Sequence, residues 1–226
     1  MEKRTEEILL AVIKEHIKTA QPVGSEVLQT KYKIGVSSAT IRNELAELER
    51  EGFIAQPHTS AGRIPTAKGY GTWINSLKQK KLSQKDADEL DGFFADKSED
   101  GLKLLAKELA RMANTAVFWA FHRRHFYHTG LSNFLTQPEF VGTNLIYDIS
   151  AVVDRMEDVI WENFDHWNDG VKILIGESNP FSNVCGATIL KYRSGSNVSI
   201  VGFLAPLRQD YERNSAIINF LESKLK

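Results

Sequence analysis

The stretch Ser37-Ser38-Ala39-Thr40-Ile41-Arg42-Asn43-Glu44-Leu45-Ala46-Glu47-Leu48-Glu49-Arg50, closed by Glu51-Gly52, decides how the front of this chain folds. Ser37 is a good N-cap residue and Gly52 a good terminator, so the segment between them predicts a helix running to Glu51. At about 3.6 residues per turn, Ile41, Leu45 and Leu48 fall on one stripe and must face other helices. The opposite face carries Ala39, Thr40, Asn43, Ala46 and Arg50, with Arg42 on its flank. Upstream, Ile8, Val12, Ile13 and Ile17 recur at helical spacing over about Arg4–Ala20. Pro22 and Gly24 stop that helix, and Ser25 starts a short second one with Val27, Leu28 and Tyr32. Gly35 is expected to supply the left-handed residue of the turn into the third helix. Downstream, Phe53-Ile54-Ala55-Gln56 and Arg63-Ile64-Pro65 read as short strands around the turn-rich Pro57-His58-Thr59-Ser60-Ala61-Gly62. Thr66 then caps a helix with Tyr70, Trp73, Ile74 and Leu77 on one side. Helix, helix, helix, hairpin is the order of a winged helix-turn-helix, and residues 1–80 are read as one.

Two readings of the outer face of the third helix stay open at this point. It is a solvated surface, as polar helix faces usually are, or it enters a DNA groove. Asn bonds adenine bidentately and Arg bonds guanine, while alanines let a helix approach base edges. On the second reading the contacts come from Ser38, Ala39, Thr40, Arg42, Asn43 and Ala46, with His58, Thr59, Arg63 and Lys68 reaching the backbone from the hairpin side. Charge favours the second reading mildly. Residues 1–82 hold 13 Lys+Arg against 9 Asp+Glu, leaving 15 against 20 for the rest of a chain whose net charge is −1. A basic front and acidic rear fit one end meeting phosphate, whereas a non-specific architectural DNA protein would be strongly basic throughout.

The rear is less regular. Lys78-Gln79-Lys80-Lys81-Leu82 is a basic linker, and residues 81–120 read as a helical linker with a long helix over Glu99–Trp119. Leu102, Leu105, Leu109 and Met112, followed by Ala116 and Trp119, repeat at alternating three and four residues. That spacing is a dimerising seam or the buried stripe of a single domain. Residues 143–167 read as helix, with Leu145, Ile149, Val152, Met156 and Val159 apolar. Val171–Ile175, Cys185–Tyr192 and Ser199–Leu204 read as strands, and Tyr211–Leu225 as a closing helix.

These residues carry a resemblance. Pro22-Val23-Gly24-Ser25, the run Val36–Glu49, and Gln56-Pro57-His58-Thr59-Ser60-Ala61-Gly62-Arg63-Ile64-Pro65-Thr66 closely resemble the HrcA family of bacterial heat-inducible transcription repressors, nearly unbroken over residues 4–77. Gly130–Phe140, Ile175-Gly176-Glu177 and Gly202–Tyr211 resemble the family's rear domain more loosely, with Ala205 and Gln209 departing from its pattern. The resemblance implies an α+β chain: the winged helix, the helical linker, and over residues 121–226 a reduced GAF-like α/β domain. The family's further strands and dimerising insertion are expected to be absent between Trp119 and Phe126. It also implies repression of chaperone genes from an inverted-repeat operator in double-stranded DNA, release on heat stress, support from the chaperonin GroEL, and a homodimer. A small-molecule-responsive regulator using the GAF-like domain is the alternative.

Other constellations point elsewhere only weakly. His122, His125 and His128, with Arg123 and Arg124 between, are a metal cluster only if they converge; otherwise they belong to a solvated linker or a secondary phosphate contact. Glu177, Asp165, His166 and Asp169 lack an accompanying nucleophile, phosphate loop or metal motif, so no enzyme is expected. Arg208, Asp210 and Arg213 are expected to pair together or cap the last helix. The single cysteine, Cys185, makes no internal disulfide and no zinc site. No cofactor or metal is expected. No run approaches the roughly 18 apolar residues of a membrane span and no secretion signal is visible, so a cytoplasmic location is expected.

Overall fold

The structure is a computed structural model that describes residues 1–122, 125–140 and 146–226, with the backbone alone for 146–149. Expectations placed on Arg123, Arg124, Leu145, the side chain of Ile149 and a helix start at 143 lie outside the described residues. The chain forms two compact units, Met1–Leu77 and Lys78–Lys226.

In the first unit α1 (Lys3–Thr19) buries Ile8, Leu9, Val12 and Ile13. It ends where Ala20 turns left-handed (φ 56°) and bonds its N–H to the His16 carbonyl. The next helices are α2 (Ser25–Thr30) and α3 (Ser38–Arg50). The left-handed residue between them is Lys33 (φ 51°), not Gly35. The reversal comes early because α2 closes at Thr30, before the chain reaches the glycine. The stripe Ile41, Leu45 and Leu48 is buried, as its spacing predicts. Strand β1 (Ile54–Ala55) pairs antiparallel with β2 (Ile64–Pro65), Ile54 opposite Pro65. Val23 joins as a third rung, exchanging N–H···O bonds of 2.8 and 2.9 Å with Arg63. Gly62 is demanded by that approach: a Cβ there would lie 2.5 Å from the Val23 carbonyl carbon. Thr66 caps α4 (Ala67–Ser76), whose Tyr70 hydroxyl lies 2.8 Å from His16 Nδ1 in the buried interior.

The second unit is a five-stranded antiparallel sheet, ordered β4-β3-β7-β6-β5, with helices on both faces. Its strands are β3 (Ala116–His122), β4 (His125–Thr129), β5 (Gly170–Ile175), β6 (Cys185–Ser194) and β7 (Asn197–Pro206). Its helices are α5 (Gln84–Asp91), α6 (Glu99–Ala113), α7 (Leu131–Leu135), α8 (Ile146–Asp154), α9 (Met156–Asn163) and α10 (Tyr211–Leu225). Side chains alternate through β3. Ala116, Phe118 and Ala120 join a core with Phe134, Val152, Met156 and Ile160. Val117, Trp119 and Phe121 join another with α6 and α10.

Several expectations for residues 81–120 are corrected here. The helix begun at Glu99 stops at Ala113, where Asn114 turns left-handed (φ 48°). Ala116–Phe121, apolar at every position, becomes a strand covered on both faces, a run that periodicity alone does not separate from buried helix. Residues 81–120 are thus no separate linker, since α5, α6 and most of β3 are built into the second unit. Leu102, Leu105, Leu109 and Met112 are buried beside Val201, Phe203, Ile217 and Leu221 of the same chain, so the stripe is core rather than an intermolecular seam.

Candidate nucleic-acid interface

The first unit raises α3 on its buried stripe with the other face outward. Ser37 begins it, its Oγ accepting from the Thr40 N–H at 3.1 Å. Ala39, Arg42, Asn43 and Ala46 are exposed, spaced three and four residues apart along this face. The remaining sequence-nominated residues of the helix are engaged in building it. Ser38 Oγ lies 2.9 Å from Ser25 Oγ and ties α2 to α3, while Thr40 Oγ1 lies 2.9 Å from Ser37 Oγ. Arg42 reaches back with Nε 3.4 Å from the Ser38 carbonyl.

The hairpin residues divide in the same way. His58 and Thr59 are exposed on the loop. Arg63 is not directed outward: its guanidinium donates to Glu49 Oε2 from Nε at 2.9 Å, and its side chain is only 20% exposed. Lys68 donates from Nζ to the Glu51 carbonyl at 2.7 Å and lies 4.3 Å from the centre of the Phe53 ring, which places its charge at the C-terminal end of α3. Of the ten residues nominated from sequence, the structure brings Ala39, Arg42, Asn43 and Ala46 to one exposed face and His58 and Thr59 to one exposed loop. It assigns internal partners to Ser38, Thr40, Arg63 and Lys68.

Sequence reasoning missed two residues. Glu49 takes the Gln56 N–H on Oε1 at 3.0 Å while holding Arg63 on Oε2. Gln56 Nε2 in turn donates to the Thr59 and Ala61 carbonyls, each at 2.9 Å. Only the opposite charges of Glu49 and Arg63 hinted at this, and a separation of 14 residues is not one that helix or strand periodicity pairs. Two further carboxylates brace α1. Glu44 accepts from the Thr5 hydroxyl at 2.7 Å and from Arg4, and those bonds hold its carboxyl below the usual range. Glu15, buried, accepts from Lys31 at 2.6 Å and Tyr32 at 3.0 Å; the Lys31 bond does most to lower its carboxyl. Burial, then the bond to Glu15, pushes the Tyr32 phenol up to about 12.

The other clusters resolve into structure. His122 and His125 face each other across β3 and β4 with ring centres 5.3 Å apart, and His125 Nδ1 lies 3.0 Å from Glu99. Among the described residues no group of three His, Cys, Asp or Glu side chains is placed to hold a metal ion. Glu177 is exposed in a short turn after β5. Arg208 pairs with Glu139, Asp210 caps α10 by accepting the Arg213 N–H at 2.9 Å, and Arg213 reaches Asp86 at 3.5 Å. Cys185 is buried, which pushes its thiol up to about 12 and away from reactivity. No helix among the described residues is long and apolar enough to cross a membrane.

Comparison with known proteins places the chain. It is 54% identical over 87 residues to the heat-inducible transcription repressor HrcA of Desulforamulus reducens, a match covering 38% of this chain and 25% of that one. It is 43% identical over 108 residues to that of Carboxydothermus hydrogenoformans, covering 47% and 32%. The matched stretches span about a quarter to a third of these relatives. In fold it is similar to a crystal structure of a hypothetical protein, with a TM-score of 0.75 at 18% identity over 100% of this chain and 96% of the other. A family model described as the HrcA protein C-terminal domain matches residues 72–214, more than half of the 226, and on that match the chain belongs to the HrcA family.

Proposed function

We propose that this protein is a DNA-binding transcription repressor of heat-shock genes whose first unit is a winged helix, with α3 as the reading helix and the loop 57–62 as the wing. One observation carries the reading: an exposed face of α3 that offers Arg42 and Asn43 flanked by Ala39 and Ala46, on a helix stiffened from beneath by Ile41, Leu45 and Leu48. The small residues permit close approach to base edges, and the two polar ones carry the donors and acceptors that major-groove readout uses. The name of these relatives, heat-inducible transcription repressor, supports the regulatory half.

The finer parts follow from the same reading. The target is an inverted repeat in double-stranded DNA, bound by two copies with half-sites a whole number of helical turns apart. The dimer uses a surface other than the buried stripe of α6. The second unit is the GAF-like domain, heat releases the DNA, and GroEL sustains the active form, as the family resemblance implies. Selection of genomic fragments bound by the purified protein tests the reading. Recovery of an inverted repeat upstream of chaperone genes is the expected result, and uniform recovery of unrelated fragments would overturn it.

A further inference from the structure

Arg63 lies where a wing would meet phosphate, yet both of its polar ends are turned inward. Its backbone is paired with Val23 and its guanidinium with Glu49. Glu49 stands near the C-terminal end of α3, and its two carboxylate oxygens take donors from both ends of the loop: the Gln56 N–H at the entry and the Arg63 guanidinium at the exit. Within the loop, the Gln56 side chain fixes the Thr59 and Ala61 carbonyls, and the Ala61 carbonyl also accepts from Arg63 Nη1 at 3.4 Å. Gly62 leaves no room between the exit strand and Val23. A single carboxylate on α3 therefore clamps both ends of a loop whose tip exposes His58 and Thr59.

We infer that Glu49 is a positioning residue for DNA binding, which fixes the loop 57–62 beside the outer face of α3 while Arg63 acts through Glu49 rather than on the DNA. This rests on the DNA-binding reading above, and it makes an expectation of unusual sign. Removing a carboxylate from a surface that meets a polyanion should tighten binding through Coulomb attraction alone. If Glu49 holds the loop, its removal weakens binding instead.

The test is fluorescence anisotropy on the full chain with the selected operator duplex and a random duplex over a series of salt concentrations. Circular dichroism checks that each variant is folded. Glu49→Ala should weaken operator binding by about tenfold or more, the scale of losing charge-assisted hydrogen bonds, with the slope of log affinity against log salt unchanged. Arg63→Ala should behave likewise, and Glu49→Ala with Arg63→Ala together should be no worse than either alone. Glu47→Ala, which removes an exposed-side carboxylate without touching the loop, should bind as well as or better than the parent. Binding by Glu49→Ala equal to or tighter than the parent overturns the inference. So does a salt slope lowered by about one unit in Arg63→Ala, the mark of a lost phosphate contact. Should Glu49→Ala not fold, Glu49→Gln, which keeps the side chain's shape but gives up the charge that holds Arg63, carries the same expectation, and operator affinity equal to or tighter than the parent there overturns the inference. A parent chain that binds neither duplex overturns the DNA-binding reading itself, an outcome separate from any difference among variants.

Discussion

Asn43 and Glu15 show how far single side chains can be assigned. Asn43 is exposed between Ala39 and Ala46, and an amide there can bond an adenine edge through two atoms at once. Asn43→Ala should cost about 1–3 kcal/mol on the operator and relax preference at particular base pairs, as read by binding to a library of single-base operator variants. Equal weakening on operator and random DNA would remove Asn43 from base reading. Glu15 tests stability instead. Its side chain is 8% exposed and its carboxyl is lowered chiefly by the Lys31 hydrogen bond, so the folded state holds its proton less tightly than the unfolded chain does. For a depressed carboxylate the sign is fixed: the stabilisation is fully present above the unfolded value, about 4.3, and is lost as pH falls through the lower folded value. Thermal melts of the parent should therefore show a falling midpoint below about pH 4.3. Glu15→Gln should lower stability at neutral pH by about 1–3 kcal/mol and melt with a flatter acid limb. A variant with the parent's full acid dependence would assign that limb to other groups, Glu44 first, whose carboxyl is lowered by Thr5 and Arg4.

At the scale of elements, α6 and β3 carry the main lesson. A stripe at three-and-four spacing says that a helix face is buried but not what covers it. Here β7 and α10 of the same chain cover it, and Leu105 and Leu109 are fully buried. Leu105→Glu combined with Leu109→Glu puts two carboxylates into a packed interior, at a cost above about 4 kcal/mol. Circular dichroism and sedimentation should report a collapsed second unit. A folded monomer with intact spectra would instead make α6 an interface. The hairpin at 54–65 is the counterexample. Its two strands are only two residues each, and its position depends less on their pairing than on Val23, Gly62 and Glu49 around it.

On the scale of the whole molecule, two units joined near Leu77 are expected to separate under mild proteolysis. Lys78, Lys80 and Lys81 are exposed and lie outside any helix or strand, while the lysines and arginines of the helices sit on packed backbone. Trypsin at low ratio should cut there first and leave a front fragment that keeps helical circular dichroism, because Ile8, Val12, Ile41, Leu45 and Leu48 are buried within it. Mass spectrometry identifies the sites. A first cut inside α1–α3 would contradict a self-contained front unit. The same fragments bear on heat: operator binding should disappear over the temperature range in which the front unit's ellipticity is lost, and loss at native ellipticity would point to a ligand or partner switch instead.

The sequence by itself determined the elements whose signals are local. Ser37, the stripe Ile41-Leu45-Leu48 and Gly52 define α3 within sixteen residues, and Pro57 to Gly62 mark the turn after it. Strands β5, β6 and β7 and helix α10 were legible for the same reason, as runs bounded by turn or capping residues. Tertiary structure decided what each exposed charge does and which short apolar run is strand or helix. Ala116–Phe121 is a strand because Val117 meets Phe203, far along the chain, on one side and Thr129 on the other. Arg63 and Lys68 looked like phosphate ligands until Glu49 and the Glu51 carbonyl were placed beside them. Periodicity reports which face of an element is buried, but partners distant in the chain are selected by packing and charge complementarity in three dimensions, and no local pattern encodes that choice.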